Sequence, residues 1–398
     1  MSAPALVCCA GQNGNELYEA CIQPWPSGAS STGMAMCEVP GFGKFPVGMI
    51  PGEMRGADFG EPANYAGGTR LFRIVVAALE QLARQVEAAV SRYGAENVGV
   101  CFGSCDNGSE ASLAAHCEFL ERNEFPHDYA LRFQSVGFPA EAIARRLGVS
   151  GPAFTVATAC ASGASAIARG AELIRSGRCG AVVVGGADVV SQVVFAGFHA
   201  LEAISDSPTN PFSKNRKGIN LGEGAAFFLL DSERLSSIEL LGVGESADAS
   251  HMTAPGGDGM GPARAMKAAL LDAGIGGGQI GYVNLHGTGT SLNDKAESLA
   301  MREVFGTPLP PSSSTKPITG HTLGAAGALE AAICWMTLNE NKGLPVHRWD
   351  GEPDDEAPFT PAVAVGAGDE IPAVSICMSN SFAFGGCNVS LVLGRDPR

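Results

Sequence analysis

Short apolar runs alternate with long alanine-rich stretches along most of this 398-residue chain. The short runs are rich in β-branched residues, and we predict strands at 98–102, 181–185, 225–230, 282–285 and 374–378. The long stretches at 71–89 and 159–175 have the composition of helices. Strands that alternate with helices in this way predict an α/β fold built of layers.

The length of the chain limits how it can be divided. A single hydrophobic core usually stops growing at about 250–300 residues, so 398 residues predict two domains or a fused duplication. Two apolar runs beside glycine-rich turns, at 182–186 and 389–393, lie in different halves and are compatible with a duplicated unit. Proline-rich segments at 24–51 and 351–361 predict loops, and neither is typical of an interdomain linker.

Composition and charge exclude several classes of function. The chain is 45% hydrophobic and 17% charged, which is typical of a tightly packed globular protein. Its net charge of −15 argues against a nucleic-acid partner, and an acidic protein partner would need a local basic patch. No apolar stretch approaches the ~20 residues of a membrane span, and the first residues lack the pattern of a signal peptide. We therefore predict a cytoplasmic protein without a membrane span.

Cys160 differs from the other eleven cysteines, which are scattered without a disulfide framework or zinc-ligand spacing and predict small buried thiols. It lies in the sequence TACASGASA at 158–166, where a helix of small residues follows an extended run. At a helix N-terminus, free N–H groups and the helix dipole favour a thiolate and can hold an oxyanion. A small thiol packed in a buried helix is the structural alternative.

Two histidines lie in glycine-rich turns. His286 is part of the sequence NLHGTGT at 284–290, at the end of a predicted strand, where ligands commonly bind. His321 follows Lys316 in a turn that leads into a second helix of small residues, with Glu330 further along. A lysine near a histidine disfavours the imidazolium and leaves a neutral ring that can donate to a carbonyl oxygen. A structural histidine and a solvated lysine are the alternatives.

A fourth segment, at 378–388, follows the last predicted strand. Its pair Gly385 and Gly386 lets the backbone point an N–H group into a site. Phe382 and Phe384 could equally be core residues, and Cys387 is a second candidate thiol without a helix start.

In this order, the four segments resemble the condensing enzymes of fatty-acid and polyketide synthesis, the β-ketoacyl-acyl-carrier-protein synthases with a Cys-His-His site. The resemblance extends over residues 153–393 and includes the segment 211–225. It implies a thiolase-like α/β fold with duplicated α-β-α-β-α layers. One half, at 1–235, would carry the nucleophilic cysteine, and the other, at 236–398, would carry the two histidines.

The resemblance also implies a decarboxylative Claisen condensation and a role for each residue. Cys160 would take an acyl chain as nucleophile, and the N–H groups of Cys160 and Phe384 would form the oxyanion hole. His286 and His321 would hold the malonyl thioester carbonyl, and which of them also handles the carboxylate stays open. Lys316 and Glu330 would support His321. The expected substrate-binding residues are Thr288 and Thr290 on the phosphopantetheine arm, with Phe382, Gly385 and Gly386. No metal or redox cofactor is implied.

The partners implied are an acidic acyl carrier protein and a second related chain. The hypothetical docking charges are Arg70, Arg73, Lys214, Arg216 and Lys217, with ordinary solvated charge as the alternative. Because members of the family pair through their central sheets, a homodimer or a heterodimer with a related ketosynthase-like subunit is expected.

Departures from the family pattern leave the length and saturation of the acyl chain open. Ala383 and Cys387 stand where glycine and threonine are commoner, Lys217 where aspartate is usual, and 102–108 replaces a glycine-rich turn of the acyl pocket. The phrases SNSFAFGG and GINLGEGAA resemble ketosynthases of bacterial aryl-polyene and related specialised pathways.

Three alternative functions are compatible with the same fold or with the acidic surface. A chain-length-factor-like partner subunit typically lacks the nucleophile, and a degradative thiolase or coenzyme-A-primed synthase completes its site with another Cys or an Asn. The presence of Cys160, His286 and His321 argues against the partner subunit, and the His321 motif argues against the thiolase and the coenzyme-A-primed synthase. An inactive interaction protein has only the acidic surface in its favour.

Overall fold

Two five-stranded sheets with the same strand order form the centre of the molecule. The computed structural model describes residues 1–23, 33–52, 69–106, 108–127, 129–233, 235–355, 357 and 374–395. The first sheet contains β1 (Ala5–Cys8), β4 (Val98–Gly103), β5 (Ala153–Val156), β6 (Ala181–Asp188) and β7 (Gly224–Asp231). The second contains β8 (Ile238–Ala247), β9 (Tyr282–Asn284), β10 (Ser312–Ser313), β11 (Ile376–Phe382) and β12 (Cys387–Arg395). A separate hairpin is formed by β2 (Ala35–Val39) and β3 (Gly43–Val47).

The strand orders are β5-β4-β6-β7-β1 and β10-β9-β11-β12-β8. Counted along the chain within each sheet, both read third, second, fourth, fifth, first. In both sheets the first three strands of this order are parallel and the last two pair antiparallel. This equivalence confirms that the fold is duplicated. The proposed division of the chain at residue 235 falls between β7 and β8 and stays a prediction.

The helices of the described residues are α1 (Gly14–Ile22), α2 (Arg70–Leu79), α3 (Ala83–Tyr93), α4 (Ser109–Arg122), α5 (Phe138–Leu147), α6 (Ser162–Arg175), α7 (Gln192–Ala200), α8 (Met260–Ala273), α9 (Ser291–Phe305), α10 (Lys316–Thr319) and α11 (Ala326–Glu340). Helices α6 and α11 pack against each other between the two sheets. Helices α2 and α3 cover the outer face of the first sheet, and α8 covers the second. The predicted α-β-α-β-α layering is therefore confirmed.

The central helices approach closely because their facing residues are small. A β-carbon on Gly163 of α6 would lie 2.7 Å from the carbonyl oxygen of Gly324, and one on Gly327 of α11 would lie 2.8 Å from the backbone nitrogen of Ala164. Helix α11 is buried along nearly its whole length, which explains why its sequence shows no polar face. The alanine and glycine content of these stretches thus reflects the middle layer of the fold.

Several local predictions need correction. The helix predicted at 71–89 is two helices, α2 and α3, joined by a 3-10 turn at Glu80–Leu82. In that turn, the Gln81 side chain donates to the carbonyl oxygen of Leu6 at 2.9 Å, which fixes the break against β1. Part of the predicted loop at 24–51 is the hairpin β2–β3, with Pro46 in a short edge strand that tolerates a residue without an N–H. Residues 24–32 and most of 356–361 lie outside the described residues.

In the part of the chain that the structure describes, no helix has both the length and the apolar character needed to cross a bilayer.

Candidate active site

A cavity of about 540 Å³ brings together the residues that the sequence singled out. Cys160, His286 and His321 share its wall. The other predicted residues on this wall are Thr288, Thr290, Phe382 and Phe384, together with Arg216 and Lys217 from the predicted docking charges. The three reactive side chains therefore face one space, although they come from both halves of the chain.

Cys160 lies in a tight turn between β5 and α6, as predicted. The turn is a 3-10 segment at Ala159–Ala161, and Ala159 adopts a left-handed φ of 48°. Ser162 fixes it from inside, because its hydroxyl accepts from the Thr158 N–H at 2.9 Å and donates to the Ala159 carbonyl at 2.6 Å. The thiol is thereby held at the helix start with only 5% of the residue exposed.

The protonation state of Cys160 differs from the sequence prediction. Burial raises the pKa of the thiol to about 12, the Lys316 charge lowers the pKa, and the Asp188 charge raises it. The loss of hydration of the charged form therefore outweighs the helix terminus. The predicted resting thiolate is wrong, so the proton has to leave when a substrate binds.

The two histidines are neutral, as the sequence predicted. Their ring centroids lie 5.5 Å apart and their planes are nearly perpendicular, at 83°. Burial and then the positive charge of Lys316 hold the pKa of both rings well below the ordinary value. Each ring therefore has one N–H to donate and no charge of its own at neutral pH.

Lys316 contacts His286 rather than His321, which corrects the predicted support of His321. The ammonium group is buried, donates to the backbone carbonyl of His286, and lies 3.4 Å from the Nδ1 atom of that ring. An ammonium group can only donate, so Nδ1 of His286 is the acceptor and its Nε2 carries the proton. His286 thus presents an N–H donor on the other side of the ring.

Glu330 balances the lysine. Its Oε1 atom lies 2.5 Å from Nζ of Lys316, and both side chains are almost fully buried. Burial raises the pKa of Glu330 to about 7, while the lysine charge opposes this shift. The pair therefore brings a charge next to the site without leaving it unpaired.

The threonines and the phenylalanines complete the cavity wall. The hydroxyl oxygens of Thr288 and Thr290 lie 2.9 Å apart. The ring of Phe382 packs 6.1 Å from His286, and the ring of Phe384 packs 5.7 Å from Phe198 of α7. Both aromatic residues are therefore part of the site as well as of its packing.

Gly385 and Gly386 lie beside Phe384 in the 3-10 turn Phe384–Gly386, and their role as substrate-binding residues stays a prediction. Both have positive φ values, 82° and 75°. Their N–H groups already donate to the carbonyl oxygens of Met252 at 2.7 Å and Ala383 at 3.0 Å. The glycines shape the turn that presents Phe384.

Sequence reasoning missed two buried carboxylates. Glu297 accepts from the backbone N–H groups of His286 and Gly287 at 2.8 and 2.7 Å, and burial raises its pKa to about 7. Asp188 accepts from residues on both sides of Cys160 in the fold. The sequence did contain a pattern that could have identified Glu297: it lies three residues after Asp294 on the helix that follows the His286 turn, so the two acids share one helix face. Asp188 gave no local signal.

The predicted docking charges divide into two groups. Arg216 is wrong as a surface charge, because only 5% of its side chain is exposed and it pairs with Asp294 and Asp354. Arg70 is likewise held by the buried Glu223, with a bond from its Nε atom of 2.7 Å, and Arg73 is half-buried. Lys214 and Lys217 remain on the surface, with 54% and 63% of their side chains exposed.

Two family models match the chain. Residues 69–235 match the N-terminal domain of beta-ketoacyl synthase, and residues 238–348 match its C-terminal domain. The 3-oxoacyl-[acyl-carrier-protein] synthase 2 of Vibrio cholerae serotype O1 is 36% identical over 327 residues, which is 77% of this chain and 78% of the relative.

Solved structures agree over the full length. The ketosynthase ApeO of Xenorhabdus doucetiae, solved in complex with its chain length factor ApeC, is 36% identical with a TM-score of 0.87. That match covers 100% of this chain and 97% of the other. The ishigamide ketosynthase/chain length factor is 30% identical with a TM-score of 0.82, and the match covers 100% of this chain and 98% of the other. The resemblance found in the sequence is confirmed, and the chain belongs to the β-ketoacyl synthase family, the enzymes of the condensation step in fatty-acid and polyketide elongation.

Proposed function

We propose that the protein loads an acyl chain onto Cys160 and condenses it with a malonyl unit carried on an acyl carrier protein. The observation that carries this proposal is the shared cavity in which Cys160 faces two neutral imidazoles. A thiol supplies the nucleophile, and neutral ring N–H groups supply hydrogen bonds to a developing oxyanion.

In the first step, Sγ of Cys160 attacks the carbonyl carbon of the acyl thioester. A new carbon–sulfur bond forms, the bond to the carrier thiol breaks, and the Cys160 proton passes to the departing thiolate. The oxyanion of the tetrahedral intermediate is stabilised by the backbone N–H groups of Cys160 and Phe384. The location of Cys160 at the start of α6 supports this role, since helix N-termini favour developing negative charge.

In the second step, the malonyl thioester loses carbon dioxide. The electrons of the broken carbon–carbon bond move into an enolate, whose oxygen accepts hydrogen bonds from His286 and His321. The proton on Nε2 of His286, fixed by the Lys316 contact at Nδ1, supports this assignment. The enolate carbon attacks the acyl group on Cys160 and displaces the sulfur, which takes up a proton and returns as the thiol.

The remaining roles follow from the lining of the cavity. Thr288 and Thr290 hold the phosphopantetheine arm through their hydroxyl groups, and Phe382 packs against it. The reaction uses no metal or redox cofactor, because thioester exchange and decarboxylation need only the groups named above. All twelve cysteines are free thiols, which supports a reducing cytoplasmic location.

We propose an acyl carrier protein as the substrate carrier and a related ketosynthase-like subunit as the partner. The ketosynthase of Xenorhabdus doucetiae, similar over the whole of this chain, was solved with a chain length factor. Strand β5 is an edge of the first sheet, and its residues are only half-buried, which suits sheet-to-sheet pairing across a dimer axis. A homodimer through the same edge is the alternative.

The proposed pathway is specialised elongation of the aryl-polyene kind rather than housekeeping fatty-acid synthesis. Full-length similarity to the Xenorhabdus doucetiae and ishigamide ketosynthases supports it. The phrases SNSFAFGG and GINLGEGAA support it as well.

The test mixes the purified protein with malonyl-carrier protein and a panel of acyl-carrier proteins, with and without a chain length factor. Mass spectrometry of the enzyme and the products is expected to find the acyl group on Cys160 and a chain longer by two carbons. Cys160→Ala is expected to lose both, whereas Cys387→Ala, which removes the other candidate thiol, is expected to keep the adduct on Cys160. A Cys160→Ala variant that still elongates would overturn the proposal.

A further inference from the structure

Asp188 is a fully buried carboxylate that the roles above leave without a function. It ends β6, and both of its oxygens accept hydrogen bonds. The donors are the Ser104 hydroxyl at 2.6 Å, the Cys105 N–H at 2.9 Å, the Asp106 N–H at 3.1 Å and the Gly324 N–H at 2.6 Å. Four donors match the about four lone-pair sites of an ionised carboxylate, so the buried group is fully hydrogen-bonded.

These bonds join the two halves of the chain. Three of the donors lie in the loop after β4, and one of them, Cys105, packs against the apolar cluster that contains Cys160. The fourth, Gly324, lies in the second half, in the turn Leu323–Ala325 between His321 and α11. A β-carbon on Gly324 would lie only 2.5 Å from Oδ2 of Asp188, so this close contact requires glycine.

Backbone hydrogen bonds on both sides of His321 hold its turn. Within the described residues, Nδ1 of His321 is buried without a hydrogen-bond partner. The His321 N–H donates to the Asn220 carbonyl at 2.7 Å, and its own carbonyl accepts from Gly222 at 3.0 Å. The bond from Gly324 to Asp188 is the next anchor along the chain.

We propose that Asp188 is a positioning residue that fixes the His321 turn relative to Cys160. This inference rests on the roles proposed for Cys160 and His321. It assigns Asp188 no contact with the substrate. Its carboxylate holds the loop behind the nucleophile and the turn that carries the histidine in one geometry, and a shift of about 1 Å between such groups costs on the order of 10²-fold in rate.

The test compares Asp188→Asn with Asp231→Asn in the purified protein. The amide has the size of the carboxylate, but one of its two ends is an NH₂ group that can only donate, so whichever backbone N–H groups face that end lose their acceptor. Asp231 is a matched control, because its side chain is 1% exposed and bonded to Tyr93 at the opposite end of the neighbouring strand β7. Both variants remove one buried negative charge.

Asp188→Asn is expected to lower kcat for condensation at least about tenfold while KM stays within about threefold, because alignment rather than binding is lost. Cys160 is expected to take up the acyl group in this variant. Asp231→Asn is expected to change neither constant. An unchanged kcat in Asp188→Asn, or an equal loss in both variants, would overturn the inference.

The pH profile of Cys160 alkylation by iodoacetamide gives a readout that a general loss of stability would not move. Three charged groups act on the thiol: Lys316 lowers its pKa, while Asp188 and Glu330 raise it. Removing the Asp188 charge is therefore expected to shift the alkylation profile to lower pH, whereas Asp231→Asn leaves it in place.

Gly324→Ala changes the other partner of the hydrogen bond between Gly324 and Asp188. It provides a second test if Asp188→Asn folds poorly. The added methyl group displaces the carboxylate, so the same loss of kcat is expected, and the double variant is expected to lose less than the product of the two. Losses that multiply would contradict a shared contact. If the wild-type protein takes up no acyl group on Cys160, the proposed function fails; if it does and Asp188→Asn is normal, only this inference fails.

Discussion

The Cys160 turn and the His321 turn occupy equivalent places in the two halves of the fold. Each lies between the third strand of its sheet, β5 or β10, and the central helix that follows, α6 or α11. Both helices begin with small residues and pack against each other. The duplicated backbone therefore brings two strand-to-helix turns to one cavity.

What differs between the turns is where charge is buried. The second half buries the ion pair of Lys316 and Glu330 beside its turn, whereas α6 has no ionised side chain in its buried face. Burial and then the Lys316 charge keep the histidines neutral, while burial keeps Cys160 a thiol. Equivalent backbone positions thus acquire a nucleophile on one side and hydrogen-bond donors on the other through side chains alone.

The largest expected effect comes from breaking the buried pair. Lys316→Met leaves Glu330 without a partner and is expected to lower the free energy of unfolding by about 3–5 kcal/mol, measured by urea denaturation. The double variant with Glu330→Leu is expected to regain most of that stability without regaining condensation. Lys267→Met, which breaks an exposed pair with Glu303, is the control and is expected to unfold nearly as the wild type does. A stable Lys316→Met protein would contradict the comparison.

Substitutions of Cys160 and of the two histidines are expected to impair different half-reactions. His286→Ala or His321→Ala is expected to slow malonyl decarboxylation about 10²–10³-fold, because one donor to the enolate oxygen is lost. Both variants are expected to keep acyl uptake on Cys160. Cys160→Ala is expected to show the reverse, and carbon dioxide release together with mass spectrometry of the enzyme measures both. If all three variants lose both half-reactions alike, the division of roles is wrong.

The pH dependence of decarboxylation tests why the two histidine rings are neutral. Because the pKa of both histidines lies well below 6.5, decarboxylation by the wild type is expected to show no inflection near that pH. In the doubly substituted Lys316→Met and Glu330→Leu protein, the positive charge that lowers the pKa is gone, so the pKa rises and the acid limb moves to higher pH. A wild-type inflection at pH 6.5 would contradict the assigned neutral state.

The lowered pKa of the two histidines also makes the free energy of unfolding depend on pH. Their folded pKa lies below the unfolded value of about 6.5, so below that pH the unfolded chain binds more protons and stability falls. Glu297 and Glu330, with folded pKa values of about 7, act in the opposite direction between their ordinary value and pH 7.

The smallest expected effect lies on the surface, away from both turns. Lys214→Glu is expected to raise the apparent KM for carrier protein several-fold and leave kcat unchanged, because exposed charges steer association. Lys267→Glu, an exposed lysine on α8, is the matched control. The same KM in the two reversed proteins would remove the docking assignment.

Local patterns predicted the turns, and tertiary contacts account for the rest. Cys160, His286 and His321 were found because each lies beside glycine and small residues at a strand end, which are signals within a few positions. Asp188 could not be found in this way, because its donors are about 80 and 136 positions away.

Charge states were harder to predict than positions. The pKa of Cys160 depends on how completely distant segments exclude water, which no local pattern encodes. Arg216 looked like a surface charge because its neighbours are polar, but Asp294 and Asp354 come from other segments and cover it.

The close contacts of Gly103, Gly163, Gly186 and Gly324 limit how this enzyme can be redesigned. A β-carbon on any of the four would lie within 2.7 Å of a neighbouring backbone or Asp188 atom, so the region behind Cys160 has no room for new side chains. On another side, Cys160 shares an apolar cluster with the hairpin β2–β3 and α7, where Phe42 and Phe45 pack on Phe195. Libraries that aim to change the accepted acyl chain therefore belong on the hairpin and α7.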